Sequence, residues 1–131
     1  MNRDVSNRFL REDGGASAAE FALVLVPFLG LVFGIIAISM MVYANQTLQY
    51  ATEAAARYYS VQTGIGSNPS ADNIRSYAQT AYKGPAIGPS FNPARGGCGP
   101  NGFRVTSTAT FPLNTGLVNI SVPLSASACY P

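Results

Sequence analysis

The 131-residue sequence contains no histidine and no tryptophan, and only 11% of its residues carry a charge. Without histidine, a general base or a metal site would have to be built from scattered carboxylates and tyrosines. The net charge is +2 and the basic residues form no cluster, which argues against a nucleic-acid partner. GxSxG, phosphate-loop and metal-ligand patterns are also missing from the sequence, so we expect no catalysis, no cofactor and no bound metal.

An enzyme built on this chain would have to use isolated side chains on predicted helices, namely Glu53, Asp72, Tyr58 and Tyr77. Lone carboxylates at such positions are typical of surface groups and helix caps. The sequence therefore favours a structural or binding protein over an enzyme.

One long apolar run dominates the N-terminal part, because Phe21–Ala44 contains no charged residue. It exceeds the ~20 residues that cross a hydrocarbon core of ~30 Å. Arg3, Arg8 and Arg11 precede it, which predicts a cytoplasmic N-terminus. We expect a polar leader over 1–15, a single transmembrane helix over 16–44, and the rest of the chain on the far side.

Three residues within the run bear on helix packing. Pro27 removes one backbone hydrogen bond and should bend the helix, which membrane helices tolerate. Gly30 and Gly34 form a GxxxG spacing, which lets another helix approach closely.

The helix pattern continues beyond the apolar run, over 45–64, as an amphipathic segment. Its apolar stripe is predicted at three- and four-residue spacing: Leu48, Ala51, Ala55 and Tyr58. Glu53 and Arg57 are four apart in the order that favours a weak ion pair. Gly64 and Gly66 are the predicted stop signals.

Residues 65–131 are predicted to form a small α+β head. Asn68 as cap and Pro69 at the first helical position indicate a short helix that ends before Gly84, with Ile74, Tyr77, Ala78 and Ala81 on one face. The Gly- and Pro-rich stretch 84–102 is predicted to be irregular.

An antiparallel hairpin is predicted after this loop. Residues 103–111 alternate between two faces, with Phe103, Val105, Ser107, Ala109 and Phe111 on the buried one. A turn is predicted over 112–116, and Pro123 makes the returning strand an edge strand or breaks it.

The two cysteines, Cys98 and Cys129, both lie in the predicted head. An even pair beyond a membrane indicates a disulfide, and the alternative is two reduced thiols in a cytosolic protein.

The segments GGASAAEFALVLVP and NQTLQYATEAAARYYSVQTG, within residues 14–64, resemble the TadE-like pseudopilins of the tight-adherence (Flp, type IVb) pilus system. The resemblance implies cleavage between Gly15 and Ala16 by a membrane prepilin peptidase on the cytoplasmic face. It also implies a pairing region at Glu20 and Phe21, in which the Glu20 carboxylate attracts the new N-terminal amine of an adjacent subunit. The alternative for Glu20 is a snorkelling interfacial residue.

The same resemblance implies a non-enzymatic subunit that acts in pilus assembly, as minor pilin, initiator or tip component. The implied partners are the bacterial inner membrane, the prepilin peptidase, other pilin or pseudopilin subunits and the assembly platform. The head would be periplasmic, or would lie in or at the tip of an extracellular pilus.

Two further interpretations stay open. A secreted domain would follow from signal-peptidase cleavage between Ala44 and Asn45, although the apolar run exceeds the usual 7–15-residue h-region. A small adhesive domain, secreted or membrane-anchored, would bind a surface or a glycan through Tyr82, Phe91 and Arg95, which lie in or beside the Gly/Pro-rich loop.

Overall fold

The computed structural model describes residues 14–99, 101–114 and 119–131. The leader with Arg3, Arg8 and Arg11 lies outside these residues, as do Thr115 and Gly116 of the predicted turn. The elements follow the order helix α1 (Gly14–Gly64), helix α2 (Ala71–Ala81), and strands β1 (Ser90–Arg95), β2 (Phe103–Asn114) and β3 (Asn119–Tyr130). The predicted α+β class is confirmed.

Helix α1 is 51 residues long and continues through Pro27. It ends at the predicted glycines, because Gly66 adopts a φ of 81° that favours glycine. The Gly66 amide donates to the Thr63 carbonyl at 3.1 Å, and the Ser67 amide donates to the Gln62 carbonyl at 3.0 Å. These two bonds form a Schellman motif, which satisfies carbonyls at the end of the helix.

The chain divides into two units, Met1–Ile36 and Ala37–Pro131. The described part of the first unit is the beginning of α1. The second unit contains the remainder of α1 together with α2 and the sheet, and it contains the buried core.

Helix α2 is shorter than the sequence predicts, and its cap is Ser70. The Ser70 hydroxyl accepts a hydrogen bond from the Asn73 amide at 3.3 Å. The prediction of Asn68 as cap is wrong, because the Asn68 side chain instead accepts a hydrogen bond from Arg95. The helix ends at Ala81, three residues before Gly84.

The sheet has three antiparallel strands in the order β1-β2-β3. The prediction that the whole Gly/Pro-rich stretch is irregular is wrong, since β1 lies inside it and pairs Pro93 with Val105. Pro93 is tolerated because β1 is an edge strand, which can lack an amide donor. Pro123 likewise sits in the other edge strand, β3, opposite Thr110, and does not break it. Strand β2 continues to Asn114, past the predicted start of the turn.

The core lies between α1, α2 and one face of the sheet. The buried face of β2 is the predicted one: Val105, Ser107, Ala109 and Phe111 are buried and Phe103 is half-buried. The buried stripe of α1 includes the predicted Leu48, Ala51 and Ala55. It then continues to Tyr59, so the prediction of Tyr58 on this stripe is wrong by one position.

Candidate functional site

The N-terminal end of α1 carries the residues that the sequence singles out for processing. The described part of helix α1 begins at Gly14, so the Gly15–Ala16 peptide bond lies at the N-terminal end of that part.

Glu20 and Phe21 lie four and five residues after Ala16 and are both exposed. Phe21 is 67% exposed. Glu20 has no hydrogen-bond or ion-pair partner among the residues that the structure describes. A carboxylate at the start of an apolar helix is costly in lipid unless a cation comes from elsewhere, so this group can accept one from another chain.

The apolar part of α1 presents its side chains outward. The stretch from Ser17 is long and apolar enough to cross a membrane, by length and composition. The exposed large side chains include Leu23, Val24, Phe28 and Phe33. A Cβ added at Gly30 or Gly34 would meet no atom within 4 Å, so the GxxxG face is open for close approach by another helix.

The family comparison matches this part of the chain: the model of the family described as TadE-like protein matches residues 15–57. The N-terminal segment is TadE-like. The family consists of structural, non-enzymatic pilin-like proteins associated with the tight-adherence pilus.

The TadE-like match begins at Gly15, covers Glu20 and both glycines of the GxxxG spacing, and ends at Arg57. The short helix and the sheet lie outside it. The comparison with curated proteins and the comparison with solved structures found no match.

The predicted disulfide is present and joins Cys98 to Cys129, with 5.8 Å between their Cα atoms. It ties the loop after β1 to the end of β3. Closing a loop of 31 residues stabilises the fold by ~3–4 kcal/mol, largely because the cross-link restricts the conformations of the unfolded chain. The loop that carries Cys98 is held further by a hydrogen bond from the Gly96 amide to the Gly102 carbonyl at 2.8 Å.

The residues considered for an adhesive role all make contacts with other parts of the fold. Phe91 is a core residue, 4% exposed, so the prediction that it serves as a surface contact is wrong. The Tyr82 hydroxyl donates to the Pro85 carbonyl at 2.8 Å. Arg95 donates to the Tyr59 hydroxyl at 3.0 Å and lies over the Tyr59 and Phe103 rings at 5.9 and 6.0 Å. These contacts show that the Tyr82 and Arg95 side chains help to hold the fold together.

Three of the four side chains considered for catalysis lie together, and Asp72 is not among them. Asp72 forms an ion pair with Arg75 at 3.0 Å on the surface of α2. Within the described residues, no group of three or more carboxylate or cysteine side chains could hold a metal ion. Glu53, Tyr58 and Tyr77 instead line a shared surface groove, which the sequence analysis missed.

Proposed function

We propose that the chain is a non-enzymatic pilin-like subunit that a prepilin peptidase cleaves between Gly15 and Ala16. The mature protein then begins at Ala16 and takes part in assembling a tight-adherence pilus, as minor pilin, initiator or tip component. The observation that carries this proposal is an exposed Glu20, five residues after Gly15, at the start of an apolar helix that is TadE-like. Glu20 has no hydrogen-bond or ion-pair partner among the described residues.

The Glu20 carboxylate is proposed to pair with the Ala16 amine of a neighbouring subunit. On its own helix that amine would lie four residues before Glu20, a rise of ~6 Å, so the proposal is that assembly replaces this contact by one with the neighbouring chain. Pairing between chains neutralises both charges near lipid and therefore favours assembly over the separate subunit. The open Gly30–Gly34 face lies within ~80° of Glu20 around the helix and extends the same contact along it.

We propose a domain plan of leader 1–15, transmembrane helix 16–44, amphipathic continuation 45–64 and head 65–131. The arginines of the leader favour a cytoplasmic N-terminus, which places the head in the periplasm. The processing bond is then on the cytoplasmic side, together with the leader.

Contacts in the second unit support keeping α1 intact. Ala44 is fully buried, and the Tyr43 hydroxyl donates to the Lys83 carbonyl at 3.0 Å. Signal-peptidase cleavage before Asn45 would remove both residues from the folded unit. The structure thus gives a physical reason to prefer cleavage at Ala16 over release of a secreted domain.

The pairing proposal is tested by Glu20→Gln, with Glu20→Asp as the matched variant that keeps the charge. Co-purification of other pilin subunits from membranes is the measurement. We expect Glu20→Gln to insert normally and to lose most of the co-purified subunits, and Glu20→Asp to retain a larger share. Equal recovery with both variants would contradict a pairing role for Glu20 and leave it as an interfacial residue.

A further inference from the structure

A groove of about 480 Å³ runs along α1 within the second unit. Its floor is a helical stripe with the spacing i, i+3, i+4, i+7, i+8 and i+11, formed by Tyr50, Glu53, Ala54, Arg57, Tyr58 and Val61. Tyr77 of α2 and Tyr130 of β3 complete its lining. A stripe with this spacing is one continuous face of a helix, and it is separate from the face that enters the core.

Large aromatic side chains are exposed in this groove. Tyr50 is 65% exposed and Val61 is 53% exposed. The Tyr58 and Tyr77 rings stack at 4.3 Å between centroids, 11° from parallel, which fixes one side of the groove. Exposed tyrosines grouped around a small residue, here Ala54, are typical of protein interfaces, where aromatic residues are enriched.

The groove also holds one charge of each sign. Glu53 and Arg57 are four apart in the order that favours an ion pair within a helix. The structure does not form this predicted pair: the ion pair among the described residues is Arg75–Asp72. Both groove charges therefore stay available for a partner.

We propose that this groove takes the same face of a second copy of the chain, with the two α1 helices side by side and parallel. Each Glu53 then pairs with Arg57 of the other copy, so the interface contains two equivalent ion pairs. A two-fold interface has this reciprocity, in which residue i contacts j and j contacts i. The axial offset of four residues is ~6 Å, which the two long side chains can span together.

The parallel arrangement rests on the proposed function, because two copies inserted in one membrane with the same orientation can only lie parallel. Opposite charges on one face make that face self-complementary, which favours an identical copy over a partner of one charge sign. Ala54 lies between the two charges and allows the helices to approach closely. Tyr50 and Val61 lie on either side of the charged pair along the stripe.

The test is disulfide trapping of the full chain in membranes, with Ala54→Cys and Val61→Cys made singly. The native cysteines are bonded to each other, so the new thiol is the reactive one. We expect both variants to give dimers linked at the same position in each copy, as a parallel pairing requires. Gln49→Cys is the matched control, since it is exposed and lies ~140° around the helix from Ala54.

Charge variants of the Ala54→Cys protein then test the ionic contact. Glu53→Arg alone, or Arg57→Glu alone, should reduce the trapped dimer roughly tenfold or more, because like charges then face each other. The two changes together restore the pairing and should restore the dimer. Equal trapping at Gln49, no dimer at either groove position, or a dimer indifferent to both charge changes would overturn the inference.

Mass spectrometry of the chain in the same membrane samples tests this inference and the proposed function separately. A chain that begins at Ala16 but gives no groove dimer would overturn the pairing of copies and leave the processing proposal standing. A groove dimer formed by chains that keep Met1 would support the pairing and contradict the processing.

Discussion

The Thr52 hydroxyl on α1 lies 2.6 Å from the Ser107 hydroxyl on the middle strand of the sheet. Both side chains are buried, and Thr52 also donates to the Leu48 carbonyl at 2.7 Å. Ser107 is therefore the donor to Thr52, with the Ala126 carbonyl as a second acceptor at 3.4 Å. This short chain of hydrogen bonds fixes the register of α1 on the sheet inside an otherwise apolar core.

Removing both members of this pair should lower the unfolding free energy by less than the two single removals added together. Thr52→Val keeps the shape and leaves the buried Ser107 hydroxyl with only its long contact, so we expect a loss of ~1–3 kcal/mol in unfolding free energy. Ser107→Ala should cost less, because Thr52 keeps its bond to Leu48. The double variant should be less destabilised than the sum of the two.

Urea unfolding of the full chain in micelles, followed by tyrosine emission, measures these differences, because the sequence has seven tyrosines and no tryptophan. Strict additivity of the two single variants would show that the hydroxyls do not interact.

Gly102 should tolerate no side chain. A Cβ at this position would lie 2.6 Å from the Cys98 carbonyl oxygen, which is backbone and cannot rotate away. We expect Gly102→Ala to lower the unfolding free energy by ~1–3 kcal/mol through overpacking beside the disulfide. Gly64→Ala is the matched control, because an added Cβ there meets nothing within 4 Å and alanine favours a helix. Equal stability of the two variants would contradict the close packing at Gly102.

Tyr82 should make the stability of the second unit depend on alkaline pH. Burial raises the pKa of Tyr82 above its ordinary value of 10.0, the Thr47 hydrogen bond lowers it, and Tyr43 raises it further. A raised folded-state pKa means that the protonated phenol is favoured in the fold. The contribution of the Tyr82 phenol to the unfolding free energy is thus present below pH 10 and is lost as the pH rises through the folded-state pKa.

The test is Tyr82→Phe, which keeps the ring and removes the bond to Pro85. We expect this variant to be less stable than the parent chain at pH 8, with the difference shrinking above pH 10. Urea midpoints by circular dichroism between pH 8 and 11 measure this. A difference that stays constant over that range would contradict the role of the phenol proton.

The parts of the fold that the sequence predicts are those with strong local signals. The uncharged run and the helix formers after it predict α1, and Gly66 predicts its end. Alternating residues predict β2, whose buried face is the expected one. The pattern predicts Tyr58 on the buried stripe, but Tyr59 takes that place, where its ring packs against Phe103 at 4.5 Å between centroids.

The missed elements depend on contacts between residues distant in sequence. Strand β1 has little strand propensity of its own and forms because β2 offers it an edge, on which Pro93 is harmless. Ser70 is the cap because the helix begins at Ala71, and Asn68 instead accepts a hydrogen bond from Arg95, 27 residues later. The groove beside α1 needs Tyr77 and Tyr130 from other elements, so one helix pattern could not reveal it.

The central claim is a single cut that frees Ala16 while leaving the apolar helix attached. Mass spectrometry of the mature N-terminus, from membranes of cells with and without the prepilin peptidase, tests it most directly. The account predicts a start at Ala16 with the peptidase and an intact leader without it, and Gly15→Leu should block the cut. A mature chain that begins at Met1 in the presence of the peptidase, or at Asn45, would contradict it.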